Sequence, residues 1–282
     1  MLLSDLIKES REAKNISQKD LAQDILSPQH LSHFENNYSS ILATKYFSLI
    51  KKLNITTSEI DYYLEWNNSQ NELMSAIQNA ISTKNESIIY DLIQNQLSLF
   101  TENDNSIHKH NLVILYQNLE KYFGQSSNDE YPMQLISDYL LNSPVWHSYE
   151  LNLLEAIVHF SSETSLRAFF ETGKSRLSSN IDMGKARKKI ARLYILAINQ
   201  SIDQSNVTFT KFLVINFKEF LSKNNLFNEQ TVCLFYEGII LIQNDKYTQG
   251  MAKASKALEI MKFADDIDAY NKYNEMLNTI IV

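Results

Sequence analysis

The chain has 282 residues, 44% of them hydrophobic and 21% charged, the balance of a soluble globular protein. Its formal net charge of −7 excludes a polycation that binds nucleic acid through a general positive field, so any such binding must come from placed groups. Five Gly and three Pro argue against a β-rich chain, and a single Cys excludes an internal disulfide and a thiolate metal cage.

Residues 1–66 break into five short helical patterns. "LLSDLIKESREAKN" places Leu3, Leu6, Ile7 and Ser10 on one face. "SQKDLAQDI" opens on Ser17 as N-cap, and Leu21, Ala22 and Ile25 share a face. "SPQHLSHFE" opens on Ser27 as N-cap with Pro28 at the first helical position, and Leu31 and Phe34 face inward. "ATKYFSLIKKL" carries Tyr46, Phe47, Leu49, Ile50 and Leu53. "TTSEIDYYLEW" opens on a Thr57 cap and buries Ile60 and Leu64.

"NNSQNE", residues 67–72, is polar and uncapped and reads as a linker. Beyond it the pattern predicts helices over 70–83, 86–100, 106–123, 130–142, 146–161, 163–178, 183–201, 206–222, 226–243, 246–262 and 264–280. Paired helices in series predict an α-solenoid. The pair "LFYEGIILIQNDKYTQGMAKASKALEI" sets Gly238, Gly250, Ala254 and Ala257 where two helices would cross closely. It resembles a tetratricopeptide repeat, with Tyr247 opening its second helix and Lys262 where the closing proline would stand. Cys233 lies in the apolar run "TVCLFYEGIILI" and is expected to be a buried, inert thiol. The tail "FADDIDAYNKYNEML" is expected to cap the solenoid and supply a dimer contact.

Chemistry concentrates in "SQKDLAQDILSPQHLSHFENN", residues 17–37. Gln29, His30 and His33 lie opposite Leu31 and Phe34, in the first turns of the third helix. A recognition helix contacts base edges from that end. Gln pairs with adenine in the major groove, and His donates or accepts there. Ser17, Gln18 and Ser27 sit at helix starts, suited to a phosphate. Arg11, Lys14 and Lys19 would add charge along the DNA backbone. Enzyme motifs are missing: there is no Gly-rich phosphate loop, nucleophile elbow or paired metal-ligand face. His108 and His110 stand at a loop-to-helix boundary without ligand partners in sequence. No cofactor is expected. No apolar run approaches the roughly 20 residues that span a bilayer. "MLLSDLIKES" is not a signal peptide, so a cytoplasmic protein is expected.

Residues 1–66 resemble the Xre-type, lambda-repressor-like helix-turn-helix, and more closely its Rgg/MutR branch. Ala22 to Leu31 is nine residues, one fewer than in typical Xre domains, and the turn lacks its glycine. "LSHFEN" stands in place of the branch's Ser-Arg-Phe-Glu-x-Gly signature, and "LIKKLNITTSEI" matches its fourth helix and following cap. His33 replaces the usual basic residue and Asn37 the glycine; Asn tolerates the left-handed conformation.

The resemblance, which covers the whole chain, implies an all-α protein. Residues 1–66 would be the DNA-binding domain, and 67–282 a TPR-like domain for peptide binding and dimerisation. It implies a cytoplasmic homodimer that binds double-stranded DNA at an inverted-repeat operator. It also implies quorum-sensing control by a short, hydrophobic, imported signalling peptide held in a concave groove. Candidate contacts in that groove are Asn152, Arg192, Asn199 and Tyr236. The basic run Lys185, Arg187, Lys188, Lys189 and Arg192 is either a solvated face or a site for a peptide carboxylate. Two other readings remain open: an Xre-type regulator whose solenoid only dimerises, and a TPR-like protein-interaction scaffold.

Overall fold

The computed structural model describes residues 3–57, 59–60, 68–103, 105–177 and 183–281. It divides into two compact units, residues 1–88 and 89–282. No described helix is long and apolar enough to cross a membrane.

In the first unit, α1 is Leu3–Ala13, α2 Gln18–Ala22, α3 Pro28–Glu35 and α4 Ala43–Lys52. Side-chain caps start two of them. Ser17 Oγ accepts from Asp20 N at 3.1 Å, and Ser27 Oγ from His30 N at 3.1 Å. Leu6, Ile7, Leu21, Ala22, Leu31, Phe34, Leu49, Ile50, Leu53 and Ile60 form one core. Phe47 is 58% exposed, because only Tyr46, Leu49 and Ile50 of α4 turn inward. Ile25 packs on the core from the turn, since α2 ends at Ala22.

That turn uses a left-handed residue without glycine: Asp24 has φ 64°. Asp and Asn tolerate this region better than other side chains with a Cβ. Asn37, after α3, has φ 63° as its place in the signature requires, and Ser4 Oγ donates to its Oδ1. The next start differs from the expected Thr57 cap. Thr56 Oγ1 accepts from Glu59 N at 3.2 Å, while Glu59 Oε2 accepts from Thr56 N at 2.7 Å. This capping box selects Thr56, because only Thr56 has a glutamate three residues on. Leu64 lies outside the described residues.

Helix α5, Asn68–Thr83, takes in residues 68–72, which were expected to be a linker. Leu73, Ile77 and Ala80 form its buried stripe, and the polar residues extend the helix backward. Then follow α6 (Glu86–Asn103), α7 (Ser106–Phe123), α8 (Gln134–Asn142), α9 (Ser148–Ile157), α10 (Glu163–Arg176) and α11 (Met183–Asp203). The last four are α12 (Val207–Ser222), α13 (Phe227–Gln243), α14 (Tyr247–Phe263) and α15 (Ile267–Ile281).

Within the second unit the helices alternate between two rows. α7, α9 and α11 pack side by side, as do α13 and α15. Tyr236 of α13 donates to Asn199 of α11 at 2.6 Å and joins the two sets. α8 and α10 pack in the other row, and Lys174 of α10 donates to Asn216 of α12 at 2.6 Å. A buried polar cluster sits where α7, α8 and α9 meet. His110 Nδ1 lies 2.7 Å from Tyr149 Oη, and Tyr139 Oη donates to the buried Glu150 at 2.6 Å. Desolvation holds the His110 imidazole down at about 4, so it sits neutral among these hydroxyls. Cys233 is buried, and desolvation pushes its thiol up to about 12.

The closest helix crossing is α13 on α14. A Cβ on Gly238 would meet Ala254 N at 2.7 Å, and one on Gly250 would meet Gly238 O at 2.6 Å. Small residues are therefore demanded by backbone contact. α15 lays Tyr273 on this pair, with its ring 5.0 Å from Phe235, and so caps the row. Gly238→Ala is expected to lower stability by about 1–3 kcal/mol through overpacking. A thermal or urea unfolding curve matching the parent would contradict so tight a crossing.

Candidate nucleic-acid interface and peptide face

The frame of the N-terminal unit is one buried carboxylate. Glu35, at the end of α3, has a fully buried side chain. Arg11 of α1 grips it with two parallel bonds, Nε–Oε1 at 2.7 Å and Nη2–Oε2 at 2.9 Å. Gln18 of α2 donates to the same Oε2 at 2.6 Å. Glu35 raises the guanidinium's affinity for its proton. Arg11 Nη1 also donates to Ile16 O at 3.2 Å and Nη2 to Glu12 at 3.2 Å. Three helices are thus fixed to one another by a charge-assisted fork.

This arrangement removes Arg11 from the DNA contacts expected of it. The guanidinium is buried and its fork is filled. Lys14 donates to Leu53 O at the end of α4 but stays exposed. Lys52 caps the end of α2 through Asp20 O at 2.5 Å. The Ser17 hydroxyl donates to Asp20 Oδ2 at 2.6 Å, so a carboxylate already holds the start of α2. Gln18 keeps its second amide hydrogen, and Glu35 orients that group. Lys19 is exposed and makes no ion pair among the described residues.

α3 presents the other expected side chains together. Gln29 and His33 are exposed and His30 is half-buried. His30 Nε2–H donates to Ser40 O at 3.2 Å. His33 meets the edge of Tyr38, whose ring is 81% exposed. The Ser27 hydroxyl accepts from the helix and still has its own hydrogen to give. Glu35 as a hub, and Tyr38 and Ser40 as supports, were missed in the sequence, because their partners lie far off or in the loop after α3.

In the second unit the expected peptide contacts separate. Glu155 of α9 takes both Lys189 at 2.5 Å and Arg192 at 2.5 Å, so the basic run is partly neutralised. Asn152 stands one turn before Glu155, is half-buried, and makes no side-chain hydrogen bond among the described residues. Asn199 follows Arg192 by seven residues on the same face of α11. Its carbonyl oxygen accepts from Tyr236, leaving the amide hydrogens. Tyr236 itself is fully buried, its hydroxyl 3.5 Å from that of Tyr273. It joins helices and supplies no open aromatic wall, which corrects its place in the expected groove. Among the described residues no group of three or more His, Cys, Asp or Glu could hold a metal ion.

A helix-turn-helix followed by a two-row helical repeat defines a transcription regulator with an appended repeat domain. The family described as "HTH-type transcriptional regulator Rgg, C-terminal domain" matches residues 90–275, and "Helix-turn-helix" matches residues 7–60. The chain belongs to the Rgg family of transcriptional regulators. Its fold is similar to that of the SHP pheromone receptor Rgg2 of Streptococcus dysgalactiae, at 22% identity and TM-score 0.76 over 99% of each chain. The PrgX/cCF10 complex is similar over 99% of this chain and 92% of that one, at 13% identity and TM-score 0.73. A bacterial peptide pheromone/receptor complex matches 99% and 98% of the two chains, at 14% identity and TM-score 0.72.

Arg11→Met is expected to cost about 3–5 kcal/mol, because it strands a buried carboxylate. Arg11→Met with Glu35→Leu should recover most of that loss. If denaturant unfolding of the full chain showed the single variant no worse than the double, the buried pair would not be what fixes α3.

Proposed function

We propose that this regulator reads an inverted-repeat operator as a cytoplasmic homodimer and is switched by a short, hydrophobic, imported signalling peptide. The observation that carries the reading is one polar face on α3, with Gln29, His30 and His33 presented by a helix pinned from behind. Residues 1–66 act as the DNA-binding domain and 67–282 as the peptide-binding and dimerising domain. Gln29 and the His30 and His33 rings address base edges. Gln18, Lys19, Ser27 and the backbone at Ser17 address phosphates. With Arg11 buried against Glu35, one fewer cation is left for phosphates, so the salt dependence of binding should be shallower than the count of basic residues suggests.

The peptide face is the one shared by Asn152, Arg192 and Asn199. Asn amides hold a peptide backbone, and Arg192, already beside Glu155, exchanges that partner for a peptide carboxylate. Rgg2 is a pheromone receptor, and a bacterial peptide pheromone/receptor complex shares this fold, which supports control by a peptide.

Gln29→Ala with His33→Ala should abolish discrimination between the chain's own upstream DNA and unrelated DNA while leaving the helical circular-dichroism signal intact. Retained discrimination in gel shifts would reject α3 as the reader. Calorimetry with apolar peptides encoded beside the gene should show binding that falls roughly tenfold or more in Asn152→Ala with Asn199→Ala, the effect of two lost hydrogen bonds. DNA binding without any peptide response would instead favour a solenoid that only dimerises. The absence of any DNA shift would favour an interaction scaffold.

A further inference from the structure

Helix α11 carries two different surfaces. Arg192 and Asn199 occupy one side. Ile190 and Tyr194 fall on the opposite side and Leu193 on the flank beside them, since successive residues turn by about 100°. Those three line a half-open cleft of about 330 Å³ between α9, α10, α11 and α12. Its other walls include Trp146, Leu154, Phe169 and Phe220. The sole polar side-chain atom of Trp146, Nε1, donates outward to Leu140 O at 3.1 Å, so the ring gives the cavity only carbon. Gly173 of α10 makes room for it, as a Cβ there would come within 3.0 Å of the indole. Glycine inside a helix is otherwise unfavourable.

The mouth is chemically distinct. It lies between the C-terminal ends of α10 and α12 and carries Lys174, Asn216, Glu219 and Lys223. An ammonium has three N–H groups. Lys174 gives one to Asn216 at 2.6 Å and one to Glu171 at 3.0 Å, and Lys223 gives one to Glu219 at 2.9 Å. The remaining hydrogens on both lysines can meet an oxygen acceptor. A dry cavity of roughly 150 Å³ accepts a benzene ring, so this one has room for about ten carbons. The walls suit an apolar tail, and the hydrogens left on the two lysines suit an accepting head.

We propose that this cavity binds a medium-chain carboxylate, tail inward and carboxylate between Lys174 and Lys223, as a small-molecule input separate from the peptide face. The site does not depend on the peptide assignment, because the two lie on opposite sides of α11.

The test uses the full chain in a Trp66→Phe background, which leaves Trp146 as its one tryptophan. Decanoate, below its micelle concentration, should change Trp146 fluorescence saturably with one site per chain, and decanol should bind roughly tenfold more weakly. Lys174→Gln with Lys223→Gln should erase the difference between acid and alcohol while leaving the apolar contribution. Ile190→Trp, read by calorimetry, should fill the cavity and abolish binding of both. Asn152→Ala with Asn199→Ala should leave decanoate binding unchanged. No saturable decanoate binding would overturn the proposal. So would equal binding of decanol, or loss of decanoate binding in the Asn152/Asn199 variant. Should Ile190→Trp fail to fold, the lysine pair still decides, since it leaves the walls untouched.

Discussion

The N-terminal unit depends on the burial of Glu35. An ionised carboxylate with no exposed surface is costly unless it is fully paired. Here Arg11 and Gln18 supply that pairing, one from each of the preceding helices. The short α2, five residues long, could not hold its angle by packing area alone. The fork fixes both α1 and α2 against the end of α3, so the polar face of α3 is presented by a stiff support. Precision of this kind is what base-edge hydrogen bonds require. The same bond takes Arg11 out of the cations left at the surface of the unit.

The second unit solves a different problem. Long helices with few glycines must bury apolar stripes on two sides, and alternation between two rows does this. Contacts between the rows are set by size. Gly238 and Gly250 allow backbone contact at one crossing, while Trp146 beside Gly173 shapes a cavity elsewhere. Contacts along the rows are set by polar pairs, such as Tyr236 with Asn199 and Lys174 with Asn216. One helix, α11, consequently serves a polar face and an apolar cavity at once, and ligands of different chemistry could act on the same element.

Much of this was legible in the residues. Ser17 and Ser27 as caps, Asn37 as a left-handed residue, and the close crossing at Gly238 and Gly250 are local features or follow from a helix's own period. The helix ends from α6 onward fall within a few residues of their sequence patterns, because caps and polar breaks act over one turn. The errors share a cause. Arg11 looked like a surface cation and Tyr236 like a groove wall. Each assignment depended on a partner tens of residues away, or on which side of an amphipathic helix a neighbour occupies.

The sequence by itself determined the all-α class, the helix-turn-helix with its short turn and the repeat that follows, which rest on periodicity, capping and spacing encoded over a few residues; the family came from the resemblance of its motifs. Tertiary structure alone decided that Arg11 belongs to Glu35, that Glu155 gathers Lys189 and Arg192, and that Tyr236 is sealed inside. It alone produced the cavity beside Trp146. Those outcomes come from long-range packing, in which burial decides whether a charge is spent inside the fold or left for a ligand.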